Sequence, residues 1–195
     1  MPCVYGTLKP VNTWNPILIN FQHLWYLIQD ASHTNNLGDK LKLWFMPTGW
    51  RPKDVQGRFP RNTVEDVYSQ EKYKPNYNLL HIIFIGFHFL VLEVILFTFL
   101  SSFADLTIFD KSAYLIFIFS TIFSFSSIMD GFKWSTSFEY VRIVIGIAVI
   151  AFQGDLQLTN NPSISIFLIS YLVISFILNL LVQKSVPARI FQEIS

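Results

Sequence analysis

The sequence predicts an all-α membrane protein: about four transmembrane helices preceded by an interfacial or cytosolic segment with short amphipathic helices. Three observations carry that prediction. Of 195 residues, 52% are hydrophobic and only 14% are charged, against about 25% charged in a soluble domain. The apolar residues gather into runs near the ~20 residues that cross a bilayer. The charges collect at the other end: residues 1–78 hold nine of the fourteen Lys and Arg and six of the thirteen Asp and Glu. This composition argues against a water-soluble enzyme of ordinary build and against a disordered or fibrous chain. A net charge of +1 leaves no strongly basic surface for nucleic acid. The single cysteine, Cys3, can make neither an internal disulfide nor a thiolate metal site.

The N-terminal elements follow from caps and stripes. Residues 1–15 carry no apolar run behind a basic start, so no signal peptide is expected. Asn15-Pro16 predicts a helix start, with Asn as the cap and Pro at the first helical position. Ile17, Phe21, Leu24, Trp25 and Ile28 then recur at helical spacing, while Gln22, Gln29 and Asp30 lie off that stripe. A second short helix is predicted around Gly38–Phe45, with Leu37, Leu41, Trp44 and Phe45 as a stripe and Lys40 and Lys42 facing away. Met46-Pro47-Thr48-Gly49-Trp50-Arg51-Pro52 breaks the helix with two Pro and one Gly. Trp and Tyr beside Lys and Arg suit the membrane–water interface. The segment is therefore expected to lie on a membrane or to pack on a larger cytosolic domain. Pro75, with neighbouring Lys and Asn, separates it from the apolar block near Tyr68–Asn78.

The spans come next. Leu79–Phe103 and Ser163–Val182 are long enough, and Ser112–Met129 is 18 uncharged residues. Phe138–Phe152 is shorter and opens with Glu139 and Arg142. The Phe/Ile/Ser bias of residues 114–128 reads as compositional rather than as a motif. With four spans, thirteen Lys and Arg fall on one side and Lys111 alone on the other. That bias predicts a multi-pass protein with both termini cytoplasmic and supports the short third span.

Chemistry-bearing patterns are few. No GxSxG, P-loop, GxGxxG or CxxC occurs. The four histidines, His23, His33, His81 and His88, are separated by 10, 48 and 7 residues, whereas ligands sharing a helix face for a di-metal site come at three or four. His81 and His88 share a face of the first span but stand about 10 Å apart along it. His81 is expected near the interface and His88 hydrogen-bonded inside the bundle; His23 and His33 are expected to pack or cap. Glu93, near the middle of the first span, is expected to face the bundle interior, since a carboxylate there costs about 2.5–3.5 kcal/mol. Arg142 is expected to snorkel to the cytoplasmic end of its span.

One stretch resembles a known family. Its pieces, in order, are Tyr5-Gly6, Pro10, Asn15-Pro16, Asp39-Lys40-Leu41 and Pro47-Thr48-Gly49-Trp50-Arg51-Pro52. Together they are similar to the end of the sterol desaturase/fatty acid hydroxylase superfamily domain, and more narrowly to its alkylglycerol monooxygenase branch. The likeness covers roughly residues 4–55. The hydrophobic block is similar to that branch's C-terminal membrane extension in general character. The resemblance implies membrane-bound, non-haem di-iron chemistry with oxygen on lipids, the irons held by HxxxH and two HxxHH boxes upstream of the Tyr-Gly…Asn-Pro segment. None of these boxes occurs here, so no catalytic, cofactor-binding or metal residue is carried over and the chain is expected to be inactive alone.

The division that follows is 1–60 as the tail of a hydroxylase-like domain, 61–78 as a linker and 79–195 as a four-span membrane domain. The expected function is the non-catalytic C-terminal membrane region, truncated or split, of an alkylglycerol monooxygenase/sterol desaturase-like lipid oxygenase. It would anchor that enzyme and shape lipid access, with membrane lipids and a histidine-box domain as partners. The alternative is an independent four-span scaffold or small transporter subunit, which the lack of half-to-half symmetry and a single intramembrane acid disfavour.

Overall fold

Asn15 starts the first helix as its position predicts. In the computed structural model, which describes residues 11–61, 63, 66, 68, 73–75, 77–152 and 162–185, its side chain accepts hydrogen bonds from the N–H groups of Ile17 (3.0 Å) and Leu18 (3.2 Å). All the regular structure among these residues is helical. The chain divides into two compact units, Met1–Lys74 and Pro75–Ser195.

The first unit holds α1 (Pro16–His33), α2 (Leu37–Lys42) and α3 (Lys53–Arg58). Helix α2 is capped by Asn36 on the Gly38 N–H and stops short of the predicted Phe45. Pro47 lies ahead of it and disfavours helical backbone at the residue before. A turn closes from the Trp50 N–H to the Pro47 carbonyl at 3.1 Å, with Gly49 at φ 97°, the left-handed value that this turn position demands and glycine supplies freely. Helix α3 was not foreseen. Pro52 acts there as the residue ahead of a helix, where its missing N–H costs nothing.

Two carboxylates tie this unit together. Asp30, 2% exposed, accepts a two-pronged pair of bonds from Arg51, both 2.9 Å, and one from Arg61 at 2.7 Å. Arg61 also donates to the Tyr26 carbonyl and lies 4.4 Å over the Tyr26 ring. Asp54 accepts from the Thr34 hydroxyl and the Asn35 N–H, while Arg58 reaches both Asp54 and the His33 carbonyl. The His33 ring stacks on Phe59 at 4.0 Å. The polar face of α1 is thus the one this unit covers. Phe21, Leu24, Trp25 and Ile28 of the apolar stripe stay exposed, as do Leu37, Leu41, Trp44 and Phe45.

The second unit is a bundle of α4 (Leu79–Ser101), α5 (Ile108–Met129), α6 (Ser135–Phe152) and α7 (Pro162–Ser185). Asn78 caps α4 through the His81 N–H. A reciprocal Thr107–Asp110 box starts α5, one turn before the predicted Ser112, because Asp110 is a cap rather than a flanking charge. Helices α4, α5 and α7 are long and apolar enough to cross a membrane, the character of an integral membrane protein. Helix α4 packs on α5 and α7, and α6 packs on the same two. Val91, Leu92, Ile95, Phe99, Tyr114, Phe117, Ile118, Tyr171 and Leu172 form the main core, and Phe84, Ile128 and Val182 a second cluster. Outward residues such as Leu90, Phe97, Phe119, Ile147 and Val173 are also apolar, as expected of helices with hydrocarbon on both sides.

Two outcomes follow for the first unit. Asp30→Ala leaves two arginines facing each other without their carboxylate and should destabilise the unit by about 3 kcal/mol, read as faster amide exchange in residues 26–61 of the full chain. The Asn35 N–H, with the Thr34 hydroxyl and Arg58, holds the Asp54 carboxyl below its ordinary pKa against a smaller desolvation effect. A depressed carboxylate stabilises the fold fully above the ordinary carboxylate range and loses that contribution as pH falls through its lowered value. The stability gap between the native chain and Asp54→Asn should therefore close only at acid pH below that range.

Candidate functional site

Glu139 and Arg142 stand one turn apart on α6, and both are fully buried in the bundle. Their spacing lets the guanidinium fold back on the carboxylate: Arg142 Nε donates to Glu139 Oε2 at 2.9 Å and Nη2 to Oε1 at 2.5 Å. The neighbouring helices complete the shell. From α5, the Ser124 hydroxyl donates to Glu139 Oε2 at 2.5 Å. From α7, the Ser175 hydroxyl donates to Glu139 Oε1 and receives Arg142 Nη2, while Arg142 Nη1 donates to the Tyr171 hydroxyl at 3.1 Å. From α4, His88 Nε2 lies 3.4 Å from both Glu139 Oε1 and the Ser175 hydroxyl. Aromatic faces close the layer: the Arg142 guanidinium lies 4.9 Å from the Tyr171 ring centre and 5.8 Å from that of Phe117.

Electrostatically the layer is self-neutralising. One carboxylate and one guanidinium cancel, and hydroxyl donors and acceptors occupy the remaining lobes. Two charges in a medium this dry survive only with such geometry and such satisfaction. Among the described residues, fully buried His88 Nδ1 has no hydrogen-bond partner, and neither has Asn179 Oδ1 one turn beyond Ser175. Phe84 lies edge-on to the imidazole at 4.2 Å. Chemically the arrangement can hold a charge pair at depth and offer one unengaged ring nitrogen.

Several expectations change at this point. Arg142 does not snorkel: it is 0% exposed, because its partner Glu139 is close enough to make burial cheaper than escape. Glu93 does not face the interior. It is exposed on the outer side of α4, since the inward face is set by His81, Phe84, His88, Val91, Leu92, Ile95 and Phe99. The acid at the centre of the bundle is Glu139. The hydroxyl residues of 114–128 are not mere bias, for Ser120, Thr121, Ser124, Ser126 and Ser127 are all buried. The overlooked signal was the three-residue spacing of Glu139 and Arg142, with Ser175, Asn179 and Gln183 every fourth residue on α7; Asn179 donates to the Thr136 carbonyl and Gln183 to the Tyr140 hydroxyl.

The histidines do not fit an iron centre. His88 belongs to the ionic layer, as expected of a histidine inside the bundle. His81 contacts Asn78 at the start of α4, His33 stacks on Phe59, and His23 is exposed on α1. Among the described residues no three His, Cys, Asp or Glu side chains gather. No family model, curated protein or solved structure matches the chain.

The layer makes a definite energetic prediction. Glu139→Gln or Arg142→Gln leaves an uncompensated buried charge and should cost about 3–5 kcal/mol of bundle stability, whereas the paired replacement Glu139→Leu with Arg142→Met should recover most of it. Thermal unfolding of the three variants in lipid nanodiscs measures both effects.

Proposed function

We propose that this chain is the non-catalytic, membrane-anchoring region of an alkylglycerol monooxygenase-like lipid oxygenase, a four-span bundle with both termini cytoplasmic. One observation supports it above the rest: the first unit buries its polar face around Asp30, Arg51 and Arg61 and turns two rows of Phe, Trp and Leu outward. Arg51 comes from the Pro47–Pro52 stretch that carries the family likeness, so those residues serve to build the lock. A surface made this way is a packing face awaiting a bilayer or a histidine-box domain. The four crossing helices then provide the anchor, α6 among them because its two charges neutralise each other at depth. The thirteen-to-one bias of Lys and Arg sets the orientation.

A second reading, a small transporter subunit, draws support from one feature. Ionisable residues held inside a membrane bundle mark proton or ion pathways in many pumps and transporters, and His88, Glu139 and Arg142 are such a set.

Co-purification of the full chain with a histidine-box domain of the family separates the two. Burying one large aromatic contributes about 1.5–3 kcal/mol, so Phe21→Glu with Trp25→Glu should weaken retention of that domain about a hundred-fold or more. Lys40→Ala with Lys42→Ala should leave it nearly unchanged. Failure of the native chain to retain the domain, together with proton flux in liposomes that Glu139→Gln abolishes, would favour the transporter subunit.

A further inference from the structure

Beyond the ionic layer, on the side of the turn joining α4 to α5, the bundle does not close. A cavity of about 190 Å³ lies among all four helices, lined by Val94, Ile95 and Thr98 of α4, Tyr114 and Phe117 of α5, Gly146 and Ile150 of α6 and Leu168 and Leu172 of α7. Phe117 forms the partition between this cavity and Arg142. We infer that the cavity is a binding site for the hydrocarbon chain of a membrane lipid, entered sideways between α4 and α7. The inference rests on the membrane-embedded bundle proposed above and not on partnership with an oxygenase domain.

Three features argue for that occupant. The lining is almost wholly apolar, and the Thr98 hydroxyl is already committed to the Val94 carbonyl at 2.8 Å. Such a space does not hold water: an apolar cavity of roughly 150 Å³ stays dry and takes a benzene-sized hydrocarbon. An unfilled void forfeits the dispersion contacts of its whole lining, so a hydrocarbon that enters meets no competing hydration. Next, the wall is open on the outer face. Val94 is 50% exposed and Phe167, another lining residue, 38%, and the adjacent helices α4 and α7 carry them. Their outer surroundings in a bilayer are acyl chains. Finally, Val94 lies seven residues, or about 10 Å, from the end of α4. A headgroup sits outside that depth, so the part of a lipid that reaches the opening is its chain.

Gly146 sets where the walls of this space stand. A Cβ at that position would stand 2.8 Å from Leu172 Cδ2 and from Phe117 Cε2. Both side chains would have to move, and both line the cavity. A glycine inside an apolar helix costs about 1 kcal/mol relative to alanine, and here its lack of a side chain lets Leu172 of α7 and Phe117 of α5 close on α6, in the positions from which they wall the cavity.

The test uses the full chain in phosphatidylcholine nanodiscs doped with a phosphatidylcholine that carries a diazirine at the end of one chain. After irradiation, labelled residues are located by peptide mass spectrometry. Ile95, Phe117 and Leu172 are only 5%, 5% and 6% exposed, so a chain that stays outside the bundle cannot reach them. The inference predicts labelling of these three alongside the outward Leu90 and Phe97. Gly146→Leu, which fills the cavity, should reduce the inward labelling at least ten-fold and leave Leu90 and Phe97 unchanged. Val94→Trp, which covers the opening from a half-exposed position, should do the same if Gly146→Leu fails to fold. Labelling confined to Leu90 and Phe97 in the native chain would overturn the inference, as would inward labelling that persists in both filled variants. Neither result would touch co-purification with a histidine-box domain.

Discussion

The interior of the bundle depends on one contact, the ion pair between Glu139 and Arg142. Either charge alone would be intolerable among these helices. Together, folded onto each other across one turn of α6, they form a neutral unit whose residual hydrogen-bonding capacity must be met from outside α6. That requirement is directional. It draws Ser124 of α5, Ser175 and Tyr171 of α7 and His88 of α4 to a common level, and so fixes the rotation of every helix in the unit. Dispersion alone would leave four apolar helices with many nearly equivalent packings, because hydrocarbon outside and hydrocarbon inside are so alike. The polar layer removes that degeneracy.

The same logic operates on a smaller scale in the N-terminal unit. Asp30 collects Arg51 and Arg61 from either side of α3 and holds together a unit with little apolar core of its own, Leu43 and Val55 being the buried aliphatic residues among those described there. Using its polar face internally leaves the unit with an unmatched apolar exterior. A water-exposed domain would arrange these faces the other way round. The arrangement suits an element whose apolar side is meant to be covered by something else, and the cavity in the bundle suits the lipid environment in which that covering would occur.

How much of this the amino-acid sequence made legible depends on the range of the interaction. Local signals were clear: Asn15 as a cap, Pro16 at a helix start, and the apolar runs that became α4, α5 and α7. Pro52 misled because a proline that ends one helix and one that precedes another look alike, which hid α3. Glu93 was expected inside and is exposed, while Arg142 was expected to reach for the end of its span and is buried. Hydropathy reports the length of an apolar run but not its rotation, and a near-uniform helix such as α4 has almost no face of its own. Its orientation comes from partners far away in the chain, of which Glu139 is the clearest. His88 was expected to be hydrogen-bonded inside the bundle, yet the ionic layer it joins could not be read from α4 alone. The cavity was illegible altogether, since its walls come from four helices distant in the chain and from the close approach of Leu172 and Phe117 to Gly146.

In the proposed arrangement a self-neutralising ion pair lets α6 cross the membrane as the fourth span. The most direct measurement of that crossing places single cysteines at the exposed positions Ser137 and Ala151, near the two ends of α6, in a chain whose Cys3 is replaced by serine. A membrane-impermeant maleimide is then applied to one side of sealed vesicles at a time. If α6 crosses, Ser137→Cys and Ala151→Cys are labelled from opposite sides. Labelling of both from the same side would contradict it, because α6 would then enter the membrane without crossing it.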